Sequence, residues 1–250
     1  MGLLDFLFDK EKSAERKLQK AEKKVTNMFL QAPERQYVFT ELRDVGTSEA
    51  VWILLQRYNE NNPNTTLDIE EKQLVFDILK RMARDADADV VGQVKRFVLE
   101  KEEKINWPMK ALHALLPEDE YIAFIVEVLE TCQTEYQRTV EKKQELMLRA
   151  TELEDPALAE QIARFISDDN ETIRFLAFDA ALNQKGSEEL SEALFSQFLT
   201  EESGRIQQKL PQLVGRRDFV VPEEMREQVG EWLDASIGIH KEGHLYRRRQ

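Results

Sequence analysis

Three histidines and one cysteine make up nearly all the soft-metal and nucleophile chemistry in the 250 residues: His113, His240, His244 and Cys132. His240 and His244 have the i, i+4 separation that pairs imidazoles in helical zinc sites. They flank Lys241-Glu242-Gly243, which reads as a tight turn rather than a helix, and no third ligand is evident beside them, so no metal is expected. Cys132 falls late in an expected helix. Glu130 and Glu135 lie nearby and disfavour a thiolate, so an inert, buried cysteine is expected.

The carboxylates are no more specific. Asp85-Ala86-Asp87-Ala88-Asp89 begins like a calcium loop, but Val90 and Arg96 stand where that loop needs its glycine and its bidentate glutamate. The run reads as an acidic turn that caps the next helix. Glu118-Asp119-Glu120 reads as a helix start, where the dipole favours negative charge. No Gly-x-Gly occurs, so nothing resembles a phosphate-cradling loop. No catalytic, cofactor or metal residue is expected, and the chain reads as a non-enzyme.

The elements that carry these residues follow from composition and periodicity. Nine glycines and seven prolines in a chain that is 42% hydrophobic and 33% charged fit a helical protein better than a sheet protein rich in turns. One cysteine excludes an internal disulfide and points to a reducing compartment. Asp5 interrupts Gly2–Phe8 and Asp9 ends it, unlike a secretory signal, and the longest apolar run, Tyr121–Val126, is too short to span a bilayer. A cytoplasmic location is expected. The net charge of −13 is concentrated in residues 51–200, which carry 17 positive and 30 negative groups. Such a body repels a phosphate backbone, so nucleic acid is not an expected partner. A neutral or cationic protein is.

An internal repeat organises the chain. Leu42 and Val38 lie four and eight residues before Gly46; Leu182 and Phe178 do the same before Gly186. Ala50, Leu54, Leu55 and Tyr58 after Gly46 match Leu190, Leu194, Phe195 and Phe198 after Gly186. These spacings define one face of each helix. Both glycines read as left-handed helix stops, with Thr47 and Ser187 as the following N-caps. Eleven residues before the glycines the match fails, Arg35 standing opposite Phe175. Similar helix pairs are expected over Asp68–Ala83 with Asp87–Leu99, Ile105–Leu116 with Glu118–Cys132, Arg138–Leu153 with Pro156–Ile166, and Glu201–Val214 with Pro222–Ala235. Asp68 and Glu71 read as a capping box, and Asp155-Pro156 as a cap with proline at the first helical position.

The run from Asp168 to Leu182 resembles the first helix of a HEAT repeat. Ile173, Arg174, Ala177, Ala181 and Leu182 hold the places of its β-branched residue, arginine, spaced alanines and leucine. Leu42–Tyr58 looks like a second such junction. The resemblance covers about residues 33–236 and implies an all-α solenoid of about six antiparallel helix pairs, like the short bacterial HEAT-repeat proteins of unassigned function. It also implies that the second helix of each pair lines a concave surface. Trp52 lies outside its helix's core stripe, and Tyr121 and Phe124 lie in a second apolar stripe; these three are the candidate partner-binding residues, with burial in the core as the alternative. The expected function is a scaffold or adaptor for a protein partner. One rival is a HEAT-like DNA glycosylase, which would need a basic groove; another is a HEAT-like protein of the phycobilin lyase type, for which no chromophore site is evident.

Residues 1–32 lie outside the repeats. Leu4, Leu7, Ala14, Leu18, Ala21, Val25 and Met28 form a heptad-like stripe. The sequence leaves two uses open: a helix covering the end of the solenoid, or a hook resting on the inner membrane surface, where a net charge of only +2 over residues 1–24 weakens the second. Residues 237–250 form a basic tail, Arg247-Arg248-Arg249, with a short hairpin expected from Ile237 to Tyr246.

Overall fold

The computed structural model describes residues 3–85 and 88–248, with side chains from residue 14 onward. The stripe residues Leu4 and Leu7, the Ala86 and Asp87 of the acidic run, and Arg249 of the basic tail lie outside the described residues or side chains. The described chain is all-helical, with 68% helix, thirteen α-helices and one small sheet. No helix is long and apolar enough to cross a membrane among the described residues.

The chain divides into two compact units, Met1–Tyr121 and Ile122–Gln250. The first holds α1 (Leu3–Val25), α2 (Ala32–Val45), α3 (Ser48–Leu55), α4 (Thr65–Asp85), α5 (Val90–Glu100) and α6 (Asn106–Leu115). The boundary falls within α7 (Glu118–Thr131). The second unit continues with α8 (Glu141–Ala150), α9 (Pro156–Phe165), α10 (Glu171–Asn183), α11 (Glu188–Thr200), α12 (Gly204–Gln207) and α13 (Arg226–Trp232). β1 (Ile237–Ile239) and β2 (Leu245–Arg247) then pair antiparallel, Gly238 opposite Tyr246, within the segment expected to form a hairpin.

In each unit, elements two apart along the chain touch. In the first, α3 packs on α1 and α5, and α4 on α2 and α6; in the second, α10 packs on α8 and α12, and α11 on α9 and α13. The apolar stripes face these contacts: Val38, Leu42, Ala50, Leu54, Leu55 and Tyr58 are all buried, as are Phe178, Leu190, Leu194, Phe195 and Phe198. Side chains also bond backbone carbonyls near the ends of helices that precede them in the chain. Gln184 Nε2 donates to the Leu153 carbonyl at 2.6 Å, just past α8. Arg216 donates to the carbonyls of Leu182 at 2.9 Å and Gln184 at 3.0 Å, at the end of α10. Arg164 donates to the Cys132 carbonyl at 3.2 Å, just past α7. Each donor lies 31 to 34 residues beyond its acceptor, and each satisfies a backbone carbonyl in the last turn of a helix or within three residues past it.

Most local stop and start signals act as expected. Thr47, Ser187, Asp155 and Asp89 each accept a backbone N–H of the following turn, and Gly46 ends α2 in the left-handed region with φ 68°. Three expectations are corrected. Gly186 is not a left-handed stop: α10 ends before it, with Gln184 extended. Glycine is needed there because the Asp218 backbone passes so close that an added Cβ would lie 2.1 Å from its carbonyl oxygen. Asp68 does not cap α4, which begins at Thr65; Asn64 accepts the Leu67 N–H at 3.2 Å, and Glu71 is wholly buried. The sixth pair is broken into α12, α13 and short 3-10 turns at Leu210–Leu213 and Glu223–Met225. Pro211 lies within one of those turns, and Gln207 Nε2 turns back to donate to the Glu201 carbonyl at 2.6 Å.

Candidate functional site

Trp52 is half-buried on α3 and lines a cleft of about 490 Å³ with residues of α1, α3 and α5. Capped by Thr47, α3 buries Ala50, Val51, Ile53, Leu54 and Leu55, so the indole is left at the edge of its apolar face. The ring meets Phe97 edge-on at 5.9 Å, and the Arg96 guanidinium lies 4.3 Å over it. Arg96 is held in turn by Glu100 at 2.7 Å. The rim is acidic: Glu15 and Glu22 from α1 and Glu49 from α3 are exposed around Leu18 and Trp52. The cleft thus combines an aromatic floor with a negative rim, an arrangement suited to a cationic or apolar side chain.

Tyr121 and Phe124 do not join it. Each is 1% exposed. Tyr121 stacks on His113 with ring centroids 4.7 Å apart, so the second stripe of α7 is interior packing and offers a partner no ring. Sequence patterning missed Trp107, a second half-buried aromatic. It stacks on Tyr58 at 6.1 Å with Lys110 over its ring at 4.5 Å.

The largest departure from surface expectations is a buried ionic network. Glu71 accepts from Arg35 Nε at 3.0 Å and from Arg57 Nε at 2.9 Å, all three side chains being 0–1% exposed. Arg57 also reaches Asp68 at 2.7 Å, and Asp68 bonds Lys72 at 2.7 Å. Burial would raise the Asp68 carboxyl, but the bonds from Lys72, Arg57 and the Asn62 N–H hold it below its ordinary range. Arg35 also donates to the carbonyls of Asn27 and Leu30, between α1 and α2. Every charge here is committed to a partner, so the network fixes packing and leaves no group free for acid–base work.

Cys132 is buried, with Sγ 3.4 Å from the Val128 carbonyl. The expectation that His240 and His244 lack a third ligand is corrected. They face each other across the hairpin, rings 4.4 Å apart, and Glu242 Oε2 approaches their Nδ1 atoms at 3.7 and 4.0 Å. The hairpin register brings them together, which i, i+4 counting on a helix does not capture. No known protein family, curated protein or solved structure matches the chain.

Proposed function

We propose that the chain is a non-enzymatic scaffold of the HEAT type, and that the Trp52 cleft holds a basic, apolar-anchored segment of a protein partner. The observation that carries this is the half-buried indole at the cleft floor, set among the exposed Glu15, Glu22 and Glu49. Aromatic residues concentrate binding energy when a partner side chain covers them, and an acidic rim selects positive partners. A Lys or Arg of the partner would take the place Arg96 holds over Trp52.

The layered contacts in each unit, and the capping bonds at 31 to 34 residues, support a stack of HEAT-type pairs. Arg174, at the arginine place of the resemblance, adds to this. It donates to the carbonyls of Asp168 and Asp169 before α10 and pairs with Glu201 after α11. We assign α1 the role of covering the end of the first unit's stack: it packs on α2 and α3, Val25 is fully buried, and Leu18 and Ala21 are half-buried. On this reading, deleting residues 2–30 lowers the melting temperature; a membrane hook would leave it unchanged and abolish binding to anionic vesicles.

The test of the cleft is fluorescence anisotropy with two labelled helical peptides, one basic with an aromatic anchor and one acidic with the same anchor. The basic peptide binds, more tightly at low salt. A triple Glu15→Lys, Glu22→Lys, Glu49→Lys variant, changed only at exposed positions, loses it. Equal binding of both peptides, or binding indifferent to the triple variant, rejects the proposal.

A further inference from the structure

The hairpin at the end of the second unit carries a donor set that the scaffold reading does not use. His240 N–H donates to the His244 carbonyl at 2.9 Å, making the two residues a directly opposed cross-strand pair. Opposed residues project their side chains on the same face, which is why the imidazoles stack at 4.4 Å with planes 22° apart. Lys241, Glu242 and Gly243 close the turn. Gly243 has φ +93°, a conformation L side chains rarely adopt, and an added Cβ there would also meet Val221 and Arg226.

The turn is anchored on both sides. The Val221 N–H donates to the Gly243 carbonyl at 3.0 Å, the Gly215 N–H to the Leu245 carbonyl at 2.9 Å, and Leu245 is 1% exposed. Arg226 lies behind the turn, its guanidinium committed to the carbonyls of Val221 and Lys241. The Glu242 N–H donates to His240 Nδ1 at 3.3 Å, which draws the start of the glutamate side chain toward the rings.

One ligand atom from each of His240, Glu242 and His244 lies within 4.8 Å of the other two. In a tetrahedral zinc site with bonds of about 2.0–2.1 Å, neighbouring ligand atoms sit roughly 3.3 Å apart. The 3.7 and 4.0 Å separations from Glu242 to the imidazoles are too long for hydrogen bonds and close to that edge length. Closing the gap takes a sub-ångström contraction together with a rotation of the stacked rings that turns their lone pairs toward one point, and His240 Nδ1 exchanges the Glu242 N–H for the ion; the side chains involved are 14% to 68% exposed.

The geometry points to a divalent transition-metal site of the zinc type at the hairpin turn, formed by His240, Glu242 and His244. Two imidazoles and one carboxylate suit zinc better than calcium or magnesium, which take all-oxygen shells. Three protein ligands leave a fourth position for water. Binding would join the two strands through their turn.

The experiment is calorimetric titration of ZnCl2 into the full chain, prepared without a polyhistidine tag. One saturable site is expected. His240→Ala and His244→Ala each weaken it at least about tenfold, since losing a ligand exceeds the loss of an outer-shell partner. Glu242→Gln weakens it too, and His113→Ala leaves it unchanged. Visible absorption of the Co(II)-loaded chain reads the same site without relying on heats, and far-ultraviolet dichroism of each variant confirms its helices. No saturable binding up to on the order of 1 mM zinc, or wild-type affinity in the His240→Ala/His244→Ala double variant, overturns the proposal.

Discussion

The junctions at Gly46 and Gly186 share an apolar register yet are held by different forces. Around Gly46 the helix stops in the left-handed region, and the position that breaks the register, Arg35, lies buried against Glu71. Around Gly186 the backbone is not left-handed, and glycine makes room for the Asp218 carbonyl. There the matching position is Phe175, half-buried beneath Lys209 Nζ at 3.7 Å and the Arg205 guanidinium at 4.5 Å. The same stripe of leucines can therefore be completed from inside by a charge network or from outside by cations over a ring. Apolar periodicity sets where helices pack; it does not set how each junction is locked.

The comparison breaks most severely at Glu71. Glu71→Ala leaves Arg35 and Arg57 buried without their shared carboxylate, and urea unfolding should show a loss of about 3–5 kcal/mol. Replacing Arg35, Glu71 and Arg57 together by Met, Leu and Met should recover most of it, because desolvation of all three charges is then removed.

Next comes the second unit's Arg174–Glu201 pair, bonded at 2.8 and 3.0 Å. Burial pushes the Glu201 carboxyl up, but bonds from Arg174, the Ser203 N–H and Gln197 outweigh it and hold it at about 2, against an ordinary 4.5. A depressed carboxyl contributes stability that is complete above its unfolded value and lost as pH falls through its folded one. About 2 kcal/mol should therefore disappear between roughly pH 4.5 and 2, the linkage value being reduced by solvent at the partly exposed Arg174. Glu201→Gln should flatten this part of an acid-unfolding profile.

The glycines give a smaller, sharper contrast. Gly186→Ala should destabilise by about 1–3 kcal/mol through overpacking against Asp218, and Gly46→Ala by about 1–2 kcal/mol through its left-handed backbone. Asparagine, which tolerates that region, should relieve the defect at Gly46 and not at Gly186; equal behaviour of the two asparagine variants in thermal melts would erase the distinction. Smallest of all, Phe175→Leu should lose about 0.5–1 kcal/mol, the scale of an exposed cation–π contact.

Legibility in the sequence follows the range of the interaction. Thr47, Asp89, Asp155 and Ser187 act on amides two or three residues away, so their caps could be read from neighbours alone. Arg35 could not, because its meaning lies in Glu71, 36 residues on. Glu71 was legible as half of a capping box and became instead the centre of a buried network. Trp52 was visible as an aromatic outside its helix's stripe, and it does reach the surface. Tyr121 and Phe124 carried the same signal, but a second stripe can equally face another helix, and here both are buried. The spacing of His240 and His244 is legible from the sequence, whereas the turn that folds Glu242 toward them depends on strand register.

The capping bonds have a consequence for how the chain is made. A ribosome releases α8 before Gln184 exists and α10 before Arg216 exists, so the carbonyls of Leu153, Leu182 and Gln184 lack these side-chain donors while the next thirty-odd residues are synthesised. Each layer of the second unit is sealed by its successor. A nascent chain halted just short of Gln184 should leave the α8 end open to proteolysis, and one halted past it should not.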